Sequence, residues 1–127
     1  MPSLPQASIF LVEDETLIRM MIVEMVEELG HRVVAEAGSV KDGQPLAESV
    51  GFDLALLDIN LAGYSVAPIA EIIERRGVPL LFVTGYASTG LPEPFSKRAV
   101  LRKPFMISKL KAAIDRALAE PRCQARQ

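Results

Sequence analysis

Five short apolar blocks recur along the chain and dominate its pattern of hydrophobic and polar positions. In order they are SIFLV at 8–12, RVVAEA at 32–37, DLALLD at 53–58, VPLLFVTG at 78–85 and AVLRK at 99–103. Blocks of this length that are rich in Val, Ile and Leu are typical of strands buried on both faces of a sheet. The pattern therefore predicts five central strands.

The segments between these blocks have the spacing of amphipathic helices. The clearest apolar positions are Ile18, Ile22, Met25 and Leu29 in the first segment and Leu110, Ile114, Ala117 and Leu118 in the last. Gly43 and Pro45 disfavour a regular start to the second helix, because both residues weaken helical backbone. Pro92 and Pro94 leave little room for a fourth helix, which we expect to be short, irregular or absent.

Strand and helix alternate five times, which predicts a single α/β domain over residues 8–120. Parallel strands joined by right-handed crossovers carry helices on both faces of their sheet, so we expect three layers. A chain of 127 residues has the size of one domain. Residues 1–7 and 121–127 lie outside the periodic pattern and are expected to be flexible ends.

Composition excludes several classes of protein. Hydrophobic residues make up 50% of the chain and the net charge is −2, so no general positive field favours nucleic-acid or anionic-membrane partners. Cys123 is the only cysteine, which excludes internal disulfides and cysteine metal sites. No apolar run is long enough to span a bilayer, and the N-terminus does not resemble a signal peptide. We expect a soluble, cytoplasmic protein.

Polar and charged residues with possible chemistry stand where the predicted strands end. They are Glu13 and Asp14 after the first strand, Asp58 at the third, Thr84 at the fourth and Lys103 at the fifth. The carboxyl ends of parallel strands meet at one edge of the sheet, so these side chains should converge. Carboxylates suit Mg²⁺, and an ammonium and a hydroxyl suit phosphoryl oxygens. One carboxylate would remain to act as a nucleophile and form an acyl phosphate.

This ordered set of residues resembles the receiver domain of response regulators in two-component signalling, over residues 8–120. The resemblance implies a flavodoxin-like (βα)5 sandwich with strand order 2-1-3-4-5. It also implies that Asp58 is the phosphoacceptor, that the donor is a histidine kinase or a histidine phosphotransfer protein, and that Mg²⁺ is the cofactor. Self-phosphorylation and dephosphorylation would be the only chemistry, so no other enzyme activity is expected.

The same resemblance assigns a role to each of the other strand-end residues. The implied metal ligands are Glu13, Asp14, Asp58 and the backbone carbonyl of Asn60. Thr84 is the implied switch hydroxyl, and Lys103 is the implied phosphate-contacting lysine.

The chain departs from the common receiver pattern at its switch. Val100 stands three positions before Lys103, where receivers commonly carry an aromatic switch residue. The segment PLLFVTGY at 79–86 resembles a receiver branch whose fourth strand carries Pro-Phe-x-Phe-Ala-Thr-Gly. We therefore expect Tyr86 to act with Thr84 as the second switch residue.

A phosphorylation-dependent switch that works through protein contacts is the leading functional hypothesis, and several alternatives remain. The domain could be a phosphorylation-independent interaction module. Because no output domain follows residue 127, we expect a single-domain receiver or else a fragment of a larger regulator. A phosphohydrolase of the haloacid-dehalogenase type would want an Asp where Asn60 stands. A flavin or dinucleotide carrier is disfavoured because no Gly-rich loop follows the first strand.

Two further expectations concern residues without a predicted role in the chemistry. His31 follows Gly30 in a turn and is expected to be exposed. The five methionines, including Met20, Met21 and Met25, are expected to pack in the core rather than to form a binding surface.

Overall fold

The computed structural model describes residues 6–61, 63–84, 100–103 and 105–119, with Asn60 described by its backbone. Along the chain the elements are β1 (Ser8–Val12), α1 (Thr16–Glu28), β2 (Arg32–Ala37), α2 (Val40–Ser49), β3 (Leu54–Asp58), β4 (Asn60–Leu61), β5 (Tyr64–Ser65), α3 (Ala67–Arg75), β6 (Leu80–Thr84), β7 (Val100–Arg102) and α4 (Ile107–Ala119). The predicted alternation of strand and helix is confirmed for these ranges.

The main sheet has five parallel strands in the order β2-β1-β3-β6-β7. Because β4 and β5 form a separate antiparallel hairpin, this order is the expected 2-1-3-4-5 of the five apolar blocks. In register, Val12 lies beside Leu57 and Asp58 lies beside Val83. The strands that end in polar residues therefore end at one common edge.

The core has two layers because the central strands β1, β3 and β6 bury both of their faces. Along β1, Ile9 and Leu11 pack in one layer with α1 and α4, whereas Phe10 and Val12 pack in the other with α2 and α3. Burying a Leu or Phe side chain fully contributes about 2 kcal/mol. The two layers hold the sheet rigidly between four helices, which fixes the edge where the polar residues lie.

Helix α2 differs from the expectation of an irregular start. It begins at its N-cap Ser39, whose hydroxyl accepts a hydrogen bond from the backbone N–H of Asp42 at 3.1 Å, and it runs unbroken past Pro45. Gly43 allows α3 to approach closely, since a Cβ on Gly43 would lie 2.6 Å from Cδ1 of Ile69. An alanine at this position would therefore force the end of the Ile69 side chain to move.

The expectation that His31 is exposed is wrong. Its relative exposure is only 7%, and its Nδ1 accepts a hydrogen bond from the backbone N–H of Ala7 at 3.0 Å. Gly30, with a φ of +94°, reverses the chain after α1, so that His31 turns inwards beside the start of β1. The ring thereby satisfies a backbone donor that burial would otherwise leave unpaired.

The expectation that the methionines of α1 pack in the core is wrong for two of them. Met20 and Met21 are exposed, whereas Met25 is partly buried against the core. Outside α1, Met106 is exposed as well, so the expectation is also wrong there. Ile22 and Val26 are the α1 residues that are fully buried. An apolar surface is thus left on the outer side of α1.

The hairpin β4–β5 follows Asp58 directly and has no counterpart in the sequence-based expectations. Its turn contains Gly63 at a φ of +90°, a conformation that residues with a Cβ rarely adopt. The backbone N–H of Val66 also donates to the carbonyl of Ile59 at 3.2 Å. The segment between β3 and α3 is therefore held by its own backbone hydrogen bonds.

Some expectations lie outside the described residues. They include the irregular fourth helix between 85 and 99 and most of the flexible ends at 1–7 and 121–127. Among the helices in the described part of the chain, none is long and apolar enough to cross a membrane.

Candidate functional site

Three carboxylates meet at the edge where β1 and β3 end. One oxygen from each of Glu13, Asp14 and Asp58 lies within 4.8 Å of the others. This follows from the topology, because β1 and β3 are neighbouring parallel strands in register and their following residues lie side by side. Glu13 and Asp58 are buried, and Asp14 is partly exposed. The cluster thus has one side open to solvent.

The ammonium of Lys103 lies among these acids. Its Nζ is 2.9 Å from Oε1 of Glu13 and 3.5 Å from Oδ2 of Asp58, with 14% of the side chain exposed. The backbone N–H of Lys103 donates to the carbonyl of Thr84 at 2.7 Å. This bond joins the ends of β6 and β7 and sets the position from which the lysine side chain reaches the acids.

Glu13 depends on that ammonium more than the other acids do, because its exposure is 1%. Its Oε2 accepts a hydrogen bond from the backbone N–H of Glu15 at 3.2 Å. Its Oε1 is buried without a hydrogen bond of good geometry, although Lys103 Nζ is only 2.9 Å away. We attribute the compensation of this oxygen to the ionic contact at that distance, since an uncompensated buried carboxylate is costly.

Lys103 remains an ammonium at neutral pH. Burial is the largest single influence on its pKa and acts to lower it, because a charged amine is less well solvated there. The close ionic contact with Glu13 and the charge of Asp58 together outweigh burial, so the pKa is raised above its ordinary value. The site is therefore built to hold a cation among acids.

The donor set fits a hard divalent cation. Mg²⁺ prefers carboxylate and carbonyl oxygens and retains several waters, and the partly exposed Asp14 leaves a side on which waters can remain. Asn60 lies two residues after Asp58 at the start of β4. Its role as a carbonyl ligand stays a prediction.

The structure places Thr84 at the end of β6, where it is buried. It lies one residue beyond Val83, the register partner of Asp58. Thr84 therefore closes the strand next to that of Asp58, as the sequence pattern predicts. The expected second switch residue, Tyr86, lies outside the described residues.

Sequence reasoning missed one side chain that contacts residues 13–15 between β1 and α1, which we call the acid loop. Arg19 in α1 donates a hydrogen bond from Nη1 to the backbone carbonyl of Glu13 at 3.0 Å. Its Nε also lies 3.3 Å from Oε1 of Glu36 in β2. The sequence does show a basic residue five positions after Asp14. An arginine on an amphipathic helix is usually exposed to solvent, so its position alone did not indicate a contact with the acids.

Comparison with known families decides the identity of the domain. The profile of the response regulator receiver domain matches residues 9–115. This chain belongs to the response regulator receiver domain family. The expected family, two-component signalling class and flavodoxin-like fold are therefore confirmed, and receiver domains are signalling domains.

Individual relatives agree with this assignment. The transcriptional regulatory protein PdtaR of Mycobacterium tuberculosis is 34% identical over 115 residues, which are 87% of this chain and 56% of PdtaR. The phyllosphere-induced regulator PhyR of Methylorubrum extorquens is 34% identical over 117 residues, covering 87% of this chain and 43% of PhyR. The chain thus spans about half the length of these curated relatives.

A solved structure of similar length gives the same fold. The solution structure of SdrG from Sphingomonas melonis Fr1 superimposes with a TM-score of 0.80 at 34% sequence identity. The alignment covers 90% of this chain and 98% of that of SdrG.

Proposed function

We propose that this domain is a phosphorylation-dependent signalling switch in which Asp58 accepts a phosphoryl group from the phosphohistidine of a histidine kinase or phosphotransfer protein. The observation that carries the proposal is the contact of Lys103 with both Glu13 and Asp58, beside Asp14. The ammonium sits where the oxygens of a phosphoryl group on Asp58 would need a positive charge.

In the transfer step, an Asp58 carboxylate oxygen attacks phosphorus and forms a new P–O bond. The P–N bond to the donor imidazole breaks, and its electron pair stays on the imidazole nitrogen. Little covalent chemistry is asked of the protein, so catalysis rests on position and charge. Lys103 would contact the phosphoryl oxygens, and burial of Asp58 would keep its nucleophilic oxygen oriented.

Glu13, Asp14 and Asp58, with the backbone carbonyl of Asn60, would hold Mg²⁺. The bound ion would neutralise charge on the transferring phosphoryl oxygens. Without it, the combined negative charge of the three carboxylates would repel an incoming phosphate. The acid cluster therefore makes phosphorylation depend on a divalent cation.

Phosphorylation of Asp58 would change the contacts of Lys103 and Thr84. A phosphoryl group adds about −1.5 to −2 of charge and three acceptor oxygens. These oxygens would compete with Glu13 for the ammonium of Lys103 and would attract the hydroxyl of Thr84. Movement of Lys103 and Thr84 would repack the ends of β6 and β7, and Tyr86 stays the proposed second switch residue.

The donor protein would dock on the outer side of α1. Leu17, Met20 and Met21 are exposed there, with Leu17 at 79%, and α1 begins only two residues after Asp14. An apolar face this close to the acid cluster would let a phosphohistidine reach Asp58 while its carrier packs against the helix. We name these three residues the α1 face.

The direct test uses acetyl phosphate as the donor and Phos-tag electrophoresis as the measurement. We expect the wild type to shift in Mg²⁺ and not in a chelator, and Asp58→Asn not to shift. Asp115→Asn, which removes an acid from α4, is the matched control and should shift as the wild type does. A shift that persists in Asp58→Asn would overturn the assignment of the phosphoacceptor.

A further inference from the structure

Arg19 holds the backbone of the acid loop from a helix outside that loop. The backbone N–H of Glu13 donates to the carbonyl of Ala37 at 3.0 Å, and the carbonyl of Glu13 accepts from Nη1 of Arg19 at 3.0 Å. Both polar groups of the Glu13 backbone are thus engaged by residues outside the β1–α1 loop. The side chains of Glu13 and Asp14 project from a backbone that is fixed on either side.

Gly38 provides the space through which the arginine reaches that carbonyl. A Cβ on Gly38 would lie 2.7 Å from Nη1 of Arg19 and 3.7 Å from the carbonyl oxygen of Glu13. Gly38 does not have a positive φ, so an alanine there would be sterically opposed by the arginine tip and not by its own backbone. Glycine at this position therefore keeps a path open for Arg19.

The charge of the guanidinium is balanced locally. Its Nε lies 3.3 Å from Oε1 of Glu36, so Arg19 brings no uncompensated positive charge towards a cation site. Arginine suits this arrangement because its planar fork donates in two directions at once, to a carbonyl and to a carboxylate. A lysine ammonium offers no such fixed fork.

We infer that Arg19, given room by Gly38, is a positioning residue that orients Glu13 and Asp14 for binding a divalent cation. The inference rests on the proposed function, because it concerns the same metal site. Groups that orient metal ligands from outside the coordination shell typically change affinity by about 10- to 100-fold when they are removed. Arg19 would act through the backbone carbonyl of Glu13 and would not itself be a metal ligand.

The test is a double-mutant cycle on the full chain, with Mn²⁺ as the probe and its free concentration read by electron paramagnetic resonance. We expect Arg19→Met and Gly38→Ala each to weaken Mn²⁺ binding about 10-fold. The double variant should be no weaker than either single variant, because both changes remove the same contact. Arg19→Lys should recover only part of the affinity.

Two controls separate this role from charge and from folding. Lys111→Met removes a cation from an exposed ion pair on α4 and should bind Mn²⁺ as the wild type does. Circular dichroism in chelator fixes a temperature at which every variant is folded, and all affinities are measured there. If Gly38→Ala does not fold, Arg19→Met and Arg19→Lys still decide the matter.

If Arg19→Met binds Mn²⁺ as tightly as the wild type does, the inference is overturned and the proposed function stays intact. If the losses of Mn²⁺ binding free energy in the two single variants add up in the double variant, Gly38 and Arg19 act separately. That result would also contradict the inference. A wild type that binds no Mn²⁺ would instead remove the metal site, and the proposed function with it.

Discussion

Nζ of Lys103 lies 2.9 Å from Oε1 of Glu13, a contact that joins the end of β7 to the end of β1. Two strands, β6 and β3, lie between them in the sheet, so the strand ends are about 14 Å apart at normal strand spacing. The side chains of Lys103 and Glu13 extend towards each other and together bridge this distance. The pair therefore couples the last strand of the sheet to the acid loop across the position of Asp58.

The first prediction concerns stability. Lys103→Met should lower the free energy of unfolding by about 3 kcal/mol in chelator, because it leaves the buried carboxylate of Glu13 uncompensated. Lys111→Met, which breaks an exposed pair with Asp115, should change it by less than about 1 kcal/mol. Urea unfolding measures both. If Lys103→Met and Lys111→Met both change the free energy of unfolding by less than about 1 kcal/mol, the contact of Lys103 with Glu13 does not stabilise the fold.

The second prediction concerns the protonation of Lys103. In chelator its pKa should fall in Glu13→Gln, because the largest influence that remains, burial, lowers it. The Cε resonance of Lys103, followed by NMR through the alkaline range, measures this. A Lys103 that titrates alike in wild type and Glu13→Gln would show that Glu13 does not stabilise the ammonium.

The raised pKa also fixes the direction of a pH effect on stability. Since the folded-state pKa lies above the ordinary value of 10.5, the stabilisation by Lys103 is fully present below that value. It is lost as the pH rises through the folded-state pKa. The difference in stability between wild type and Lys103→Met should therefore be constant near neutrality and shrink only at strongly alkaline pH.

The third prediction separates donor docking from chemistry. The paired change Leu17→Ser and Met20→Ser on the α1 face should slow phosphotransfer from a histidine kinase about 10-fold, since truncated interface anchors often cost at least 1 kcal/mol. Phosphorylation by acetyl phosphate should not change. Val34→Thr, on the edge strand β2, is the control. Equal slowing with both donors would place the defect at Asp58 and not at the α1 face.

The fourth prediction tests the packing of α2 on α3. Gly43→Ala should destabilise the fold by about 1–3 kcal/mol, because the new Cβ would meet Ile69 at 2.6 Å. Gly51→Ala has no atom within 4 Å of its new Cβ and should be neutral or slightly stabilising. Thermal unfolding compares them. A Gly43→Ala protein as stable as Gly51→Ala would mean that the end of the Ile69 side chain moves aside at little cost.

Several strands could be predicted closely from their apolar blocks. The blocks at 8–12 and 32–37 coincide with β1 and β2, and parallel topology then brings Glu13, Asp14 and Asp58 together. For β1 and β3 this works because a strand buried on both faces leaves a continuous apolar signal, and its end is where polar residues resume. The order of five such strands followed from the resemblance and not from the pattern.

Features without a periodic signal could not be predicted. The hairpin β4–β5 has strands of two residues each, too short to show alternation. His31 is buried because Gly30 redirects the chain and Ala7 needs an acceptor, which is a tertiary relationship. Met20 and Met21 are apolar like Ile22, so composition alone did not reveal which of them faces outwards.

The central claim is that Asp58, and neither of the neighbouring acids, carries the phosphoryl group. The most direct measurement is reductive trapping of the acyl phosphate with borohydride after acetyl phosphate and Mg²⁺, followed by peptide mass spectrometry. The account predicts homoserine at position 58, with Glu13 and Asp14 unmodified, and no trapped product in Asp58→Asn. Trapping at Glu13 or Asp14, or none in a wild type that has been shown to bind Mg²⁺, would contradict it.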